Sequence, residues 1–192
     1  MHTVKRRRRP FIKVVGRLAP QSCTLLVHLE AQSAFALLRD NLPWRYELAT
    51  SAGRPIVEVL PTENDDDGDL LVVGRFTDFT RLGQSPTDDV LLIPQLKTPE
   101  QIRDDAWTEV CAALLVPSLG HEDWARLYRR LRRAIPPASC ARIFGSRQLT
   151  QEAFAAPLGI HPRTLARALK KHPAHPVGRP TMFEEALNEI AR

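Results

Sequence analysis

Gly68-Asp69-Leu70-Leu71-Val72-Val73-Gly74-Arg75-Phe76-Thr77-Asp78-Phe79-Thr80-Arg81-Leu82 is the stretch on which the reading of this chain turns. Leu70 to Val73 is a short apolar run, partly β-branched, and reads as a buried strand. Gly74 permits a sharp turn that a Cβ would hinder. From Thr77 the pattern becomes helical, with Phe76, Phe79 and Leu82 spaced three apart. A helix start leaves N–H groups unpaired and carries roughly half a positive charge, so it suits an anion such as a phosphate. Arg75 and Thr77 add donors beside it. The plainer alternative is an ordinary strand feeding an ordinary helix, and a lone glycine turn does not separate the two.

The chain has 192 residues, 43% of them hydrophobic, enough for a core domain and a smaller second one. Its formal net charge is +5, which admits nucleic acid or an acidic partner without requiring either. Placement says more. Basic clusters lie at Lys5 to Arg9, Arg126 to Arg133 and Arg163 to Lys171. The three cysteines, Cys23, Cys111 and Cys140, are widely spaced and include no CxxC pair. That points to a reducing compartment and away from a zinc site. The basic N-terminus lacks the apolar stretch of a signal peptide, and no apolar run is long enough to span a bilayer. A cytoplasmic protein is expected, with a peripheral contact at the inner membrane through Arg6 to Arg9 left open.

Residues 1–10 read as a basic arm. Phe11 to Leu18, Thr24 to Leu29, Pro55 to Leu60, Leu70 to Val73 and Val90 to Ile93 read as strands, and Ala31 to Leu42 as a helix. The acidic turn Glu63 to Asp69 fails as a calcium loop: with Gly68 at the sixth position, the twelfth is Gly74 instead of glutamate. Thr98 caps a helix with Pro99 at its first position and Ile102, Ala106, Val110 and Leu114 along one face. A helix from His121 to Ile135 and a short one from Cys140 to Phe144, closed by Gly145, follow. The fold class is α+β: a mixed-sheet domain over 11–97, then an all-α domain over 98–171. Residues 172–192 make a linker and a terminal helix.

Within the helical part, Leu149 to Leu169 reads as a helix-turn-helix. Thr150 caps the first helix, Ala155 is small where the helices cross, and Gly159 supplies the turn. Ile160 plugs the core, Pro162 opens the second helix, and Leu165 and Leu169 point inward. Arg163, Thr164, Arg167, Lys170 and Lys171 are left outside, where a recognition helix meets a major groove and its phosphates. Pro157 falls inside the first helix and removes a backbone bond there, which would shorten that helix. A purely structural helical hairpin is the alternative.

The order of parts resembles the ParB/sulfiredoxin superfamily joined to its helix-turn-helix, over about residues 53–171. Gly53-Arg54-Pro55-Ile56-Val57-Glu58-Val59 looks like the family's "G…QPIVV" strand, and Asp67 to Gly74 like its "DGxYxLVxG" hairpin. Val90 to Ile93 matches the next strand, and Leu119 to Leu131 resembles "LxPxExAxAYxxL". In the family, the glycine here numbered Gly74 opens a "GERR" box that binds nucleotide phosphates. This chain has Arg75-Phe76-Thr77 in place of Glu-Arg-Arg, and the family's "ENxxR" segment falls near Ala112 to Val116 with none of its polar residues kept. The sulfiredoxin cysteine is absent, Ile135 to Gln148 is an insertion, and only 21 residues follow Lys171. The size, basic arm and domain order look like the shorter, plasmid-encoded fertility-inhibition members of the superfamily.

That resemblance implies ATP hydrolysis and DNA cleavage, with ATP and Mg2+ as cofactors. It implies DNA as a partner and a block on plasmid or T-DNA transfer at a type IV secretion coupling protein or relaxosome. On it, Gly74, Arg75 and Thr77 would bind nucleotide, and Arg75, Asp78 and Arg81 would serve catalysis. No P-loop and no metal-ligand spacing occur in the sequence. A non-enzymatic DNA-binding regulator is the competing expectation, and a protein that jams a secretion coupling protein through basic surfaces is a third.

Overall fold

The computed structural model describes residues 17–18, 24–41, 55–60, 69–82, 90–116 and 121–173. The basic arm, most of the first expected strand, the acidic turn, the linker beyond Pro173 and the terminal helix lie outside these residues. The strands are β1 (Arg17–Leu18), β2 (Thr24–Val27), β3 (Ile56–Val59), β4 (Asp69–Gly74) and β5 (Leu91–Pro94). They form one mixed sheet in the order β1-β5-β3-β4-β2. β2 runs parallel to β4 and β3 parallel to β5, while β3–β4 and β1–β5 are antiparallel.

The alternation of the sheet shows why it needs helices on one face. Val57, Val59, Leu70, Val72 and Leu92 are buried, while Ile56, Glu58, Leu71, Leu91 and Ile93 between them are only partly so. A 3-10 turn, Leu29–Ala31, leads into α1 (Gln32–Asn41), so the helix expected over Ala31 to Leu42 starts one residue later as an α-helix. α2 (Phe76–Leu82) follows β4 directly, and Phe76 and Phe79 stack against Phe35 of α1 with ring centroids 5.9 and 5.4 Å apart.

α3 (Pro99–Leu114) is the hub of the molecule. Its N-terminus is a full capping box: Thr98 Oγ1 accepts from Gln101 N–H, and the Gln101 side chain accepts from Thr98 N–H. Ile102, Ala106, Trp107, Val110, Cys111 and Leu114 are all buried. α3 packs against α1, β4 and α5, so the buried cluster runs without a break from Val57 in the sheet to Leu165 at the far end.

α4 (His121–Ala134), α5 (Pro137–Phe144), α6 (Gln151–Ala155) and α7 (Pro162–Lys171) complete the elements among the described residues. Gly145 adopts φ 73° and ends α5 as a left-handed cap. Ser139, buried on α5, donates to Asp104 of α3 at 2.8 Å, and Arg142 pairs with Asp104 and Asp105. No helix among the described residues is long and apolar enough to cross a membrane.

Candidate functional site

Two surfaces carry chemistry: a cleft at the end of β4, and the outer face of α7. The cleft, about 700 Å³, is lined by Glu58 of β3, by Gly74, Arg75, Thr77 and Asp78 at the β4–α2 turn, and by Lys97. Asp105, Thr108, Glu109, Ala112 and Ala113 of α3 close its other side. The sequence places a cleft at Gly74 for one reason, and the structure supplies another. Gly74 does not have a positive φ; Arg75 does, at 60°. The glycine is there for space, since a Cβ on it would lie 2.4 Å from Oε2 of Glu58.

Arg75 is a non-glycine residue in the left-handed region, a conformation that costs about 1–2 kcal/mol. A carboxylate holds it there. Glu109 Oε2 accepts from Arg75 N–H at 2.9 Å, and Oε1 accepts from Thr77 N–H at 3.3 Å. Phe76 N–H adds to the same grip. Successive N–H groups across a left-handed residue make an anion-binding nest. Hydrogen bonds to a charged group are worth about 1.5–3 kcal/mol each, enough to outweigh the strain. Burial pushes the Glu109 carboxyl above its usual range; these amides pull it down, and nearby Glu58 adds to the rise.

The cleft's cations are engaged as well. Lys97 Nζ lies 2.9 Å from Glu58 Oε2 and 3.1 Å from Asp105 Oδ2. Burial opposes the charge on Lys97, but the bonds to Glu58 and Asp105 outweigh it and hold the ammonium above its ordinary value. Arg75 Nε stands 3.8 Å from Glu58 Oε1 on a mostly exposed side chain. Four carboxylates, Glu58, Asp78, Asp105 and Glu109, therefore face two cations. Nucleotide phosphates do not fit this arrangement: the amides that would hold them are bonded to Glu109, and the lining is acidic. Among the described residues, no group of three or more His, Cys, Asp or Glu is placed to hold a metal ion.

Of the expected cleft residues, Gly74, Arg75, Thr77 and Asp78 come together on this wall. Arg81 lies one turn on in α2, with its side chain outside the described part. The sequence reading missed Glu58, Lys97, Asp105 and Glu109. A signal existed: Asp105 and Glu109 stand four apart on α3, beside its apolar stripe, and Ala112 and Ala113 continue that row as a small-residue groove.

The second surface is a helix-turn-helix. Thr150 Oγ1 caps α6 by accepting from Ala153 N–H at 3.1 Å. The helix ends at Ala155, so Pro157 lies in the turn instead of inside the first helix; with no N–H to extend the bonding beyond Ala156, it leaves α6 only five residues long, in line with the expected shortening. Gly159, at φ 65°, closes the turn, and Ile160 N–H donates to Ala155 C=O at 3.2 Å. Ile160 is half-buried against the core. Pro162 opens α7, and His161 Nδ1 caps it by accepting from Arg163 N–H at 3.1 Å. Phe154, Leu158 and Leu165 are buried, and Phe154 meets Tyr128 of α4 edge-on.

Opposite the buried Leu165 and Ala168, Arg163, Arg167, Lys170 and Lys171 are exposed, with Thr164 half-buried beside them. Residues 121–173 contain eleven Lys and Arg against three Asp and Glu. Not all of these are free for a ligand. Arg129 reaches across from α4 and donates to the C=O groups of Leu169 and His172 at the end of α7. Arg130 reaches Asp40 C=O and the Asn41 side chain at the end of α1. A scan against protein-family models finds no match for this chain, and neither does a search of curated proteins.

Proposed function

We propose that this chain is a DNA-binding protein of the ParB/sulfiredoxin type, with α6 and α7 gripping duplex DNA. One observation carries the reading: α7 is capped, packed on α4 and presents Arg163, Arg167 and Lys170 on one exposed face. Such a helix enters a major groove with its first residues on base edges and its later lysines on phosphates. The excess of positive charge over 121–173 supplies the non-specific attraction that brings the duplex in. Fluorescence anisotropy on duplex oligonucleotides tests it. Arg163→Ala and Arg167→Ala should each weaken binding about tenfold or more, since a bidentate contact is worth roughly 1–3 kcal/mol. Lys171→Ala should reduce the salt slope by about one unit with little change in preference between sequences. Equal affinity for every duplex in wild type and variants would remove the base-reading role.

A second reading keeps the enzymatic expectation: a fertility-inhibition factor that cleaves DNA and hydrolyses ATP, acting at a type IV secretion coupling protein or relaxosome. What favours it is the position of the cleft, at the turn where the resemblance expects phosphates, with Arg75, Thr77 and Asp78 on its wall. The acidic lining counts against it. Incubation of the purified chain with supercoiled plasmid, with and without Mg2+ and ATP, separates the two readings. Nicking that depends on Mg2+ and is lost in Asp78→Ala supports the enzyme; intact plasmid throughout supports the binding protein alone.

A further inference from the structure

The cleft holds an anion already, and it belongs to the protein. We infer that Glu109 is the resident anion of the Arg75–Thr77 turn, standing where a nucleotide phosphate would have to lie and closing the cleft to nucleotides. Both carboxylate oxygens are engaged, one on Arg75 N–H at 2.9 Å and one on Thr77 N–H at 3.3 Å. The carboxylate is delivered by the middle of α3, the most deeply packed helix, with Ala106 and Val110 buried on either side of it in sequence. A side chain anchored at that depth has few rotamers that leave the turn. Glu109 is thus a latch between α3 and the start of α2 that also satisfies the left-handed Arg75.

The groups around the latch work in the same direction. Glu58 from β3 and Asp105 from α3 hold Lys97, so that cation is not left over for an incoming phosphate, and Glu58 also draws the mostly exposed Arg75 at 3.8 Å. Asp78, from α2, adds a fourth carboxylate to the wall. An entering phosphate has to displace one carboxylate and lie beside three others. The inference is independent of the DNA-binding reading, which rests on α7.

The test is amide NMR and calorimetry on the full chain with two probes, inorganic pyrophosphate and Mg2+–ATP. In wild type the Arg75 and Thr77 amides should be slow to exchange and should not shift with either probe, and calorimetry should register no binding. Glu109→Ala should expose both amides and bind pyrophosphate measurably, at least tenfold more tightly than the detection limit that wild type fails to reach. Glu109→Gln, which keeps one acceptor and guards against a variant that fails to fold, should expose one amide and gain less. Binding of Mg2+–ATP to wild type with shifts at Arg75 and Thr77 overturns the inference. Unchanged absence of binding in all three proteins overturns it too. Duplex binding through α7 should be the same in all three, so failure here leaves that reading untouched.

Discussion

Gly74 ends β4 at a turn whose left-handed backbone belongs to the next residue. Its position after an apolar strand marks a turn in the sequence, and a turn is present. Yet the backbone that bends is Arg75, at φ 60°, and no local pattern announces that an arginine will sit there. The cause is non-local: Glu109, 34 residues on, accepts its N–H. Glu58 likewise fixes Gly74 from another strand. The contact is with the far end of a side chain, so Gly74→Ala is survivable if the Glu58 carboxylate turns away from Lys97. That loses one partly buried, charge-assisted bond, and Gly74→Ala should destabilise the fold by about 1–2 kcal/mol in urea unfolding. In a Glu58→Ala background the same substitution should be nearly neutral. Equal effects in both backgrounds would show that the alanine meets something other than Glu58.

At the scale of elements, the helix-turn-helix was the most legible part, because each of its signals is local. Thr150, Gly159, Pro162, Leu165 and the basic residues sit within 22 positions and need nothing from elsewhere to be interpreted. Pro157 falls in the turn because α6 is only five residues long, and a proline without an N–H is itself a reason for that shortness. What the sequence concealed is how α7 is held. Arg129 belongs to a cluster that reads as one basic face, but its guanidinium is spent on the last carbonyls of α7. A cation there satisfies orphan acceptors and opposes the negative end of the helix dipole. Arg129→Ala should therefore act differently from Arg167→Ala. It should lower stability by about 2–3 kcal/mol and weaken DNA binding through disorder at the end of α7. Arg167→Ala should weaken DNA binding with stability unchanged within about 0.5 kcal/mol. Urea midpoints measured beside anisotropy distinguish the two roles.

Over the whole molecule, α3 joins what the sequence divides. Composition shifts near residue 98 from strands to helices, which is visible in any reading of the pattern. The periodic face of Ile102, Ala106, Val110 and Leu114 shows that α3 is buried on one side; that this face joins one cluster with the sheet, α1 and α4 is a matter of packing, which periodicity does not specify. Cys111 reports on this seam. It lies on α3, 4% exposed, and its thiol is pushed up to about 12, first by burial and then by Cys140 on α5. The native state thus keeps a proton that the unfolded chain gives up near pH 9. Stability on this account is complete below that pH and falls as pH rises toward 12, by up to about 1.4 kcal/mol per unit. Cys111→Ala removes the titrating group, so its urea midpoint should fall less steeply than that of wild type between about pH 9 and pH 11. Because the seam is shared, the alkaline loss should appear together in the fluorescence of Trp107 on α3 and Trp124 on α4, measured in a Trp44→Phe background, and in amide exchange of α7. If α7 opens while tryptophan fluorescence is unchanged, the helical module unfolds by itself and the continuous core does not bind the two halves into one cooperative unit.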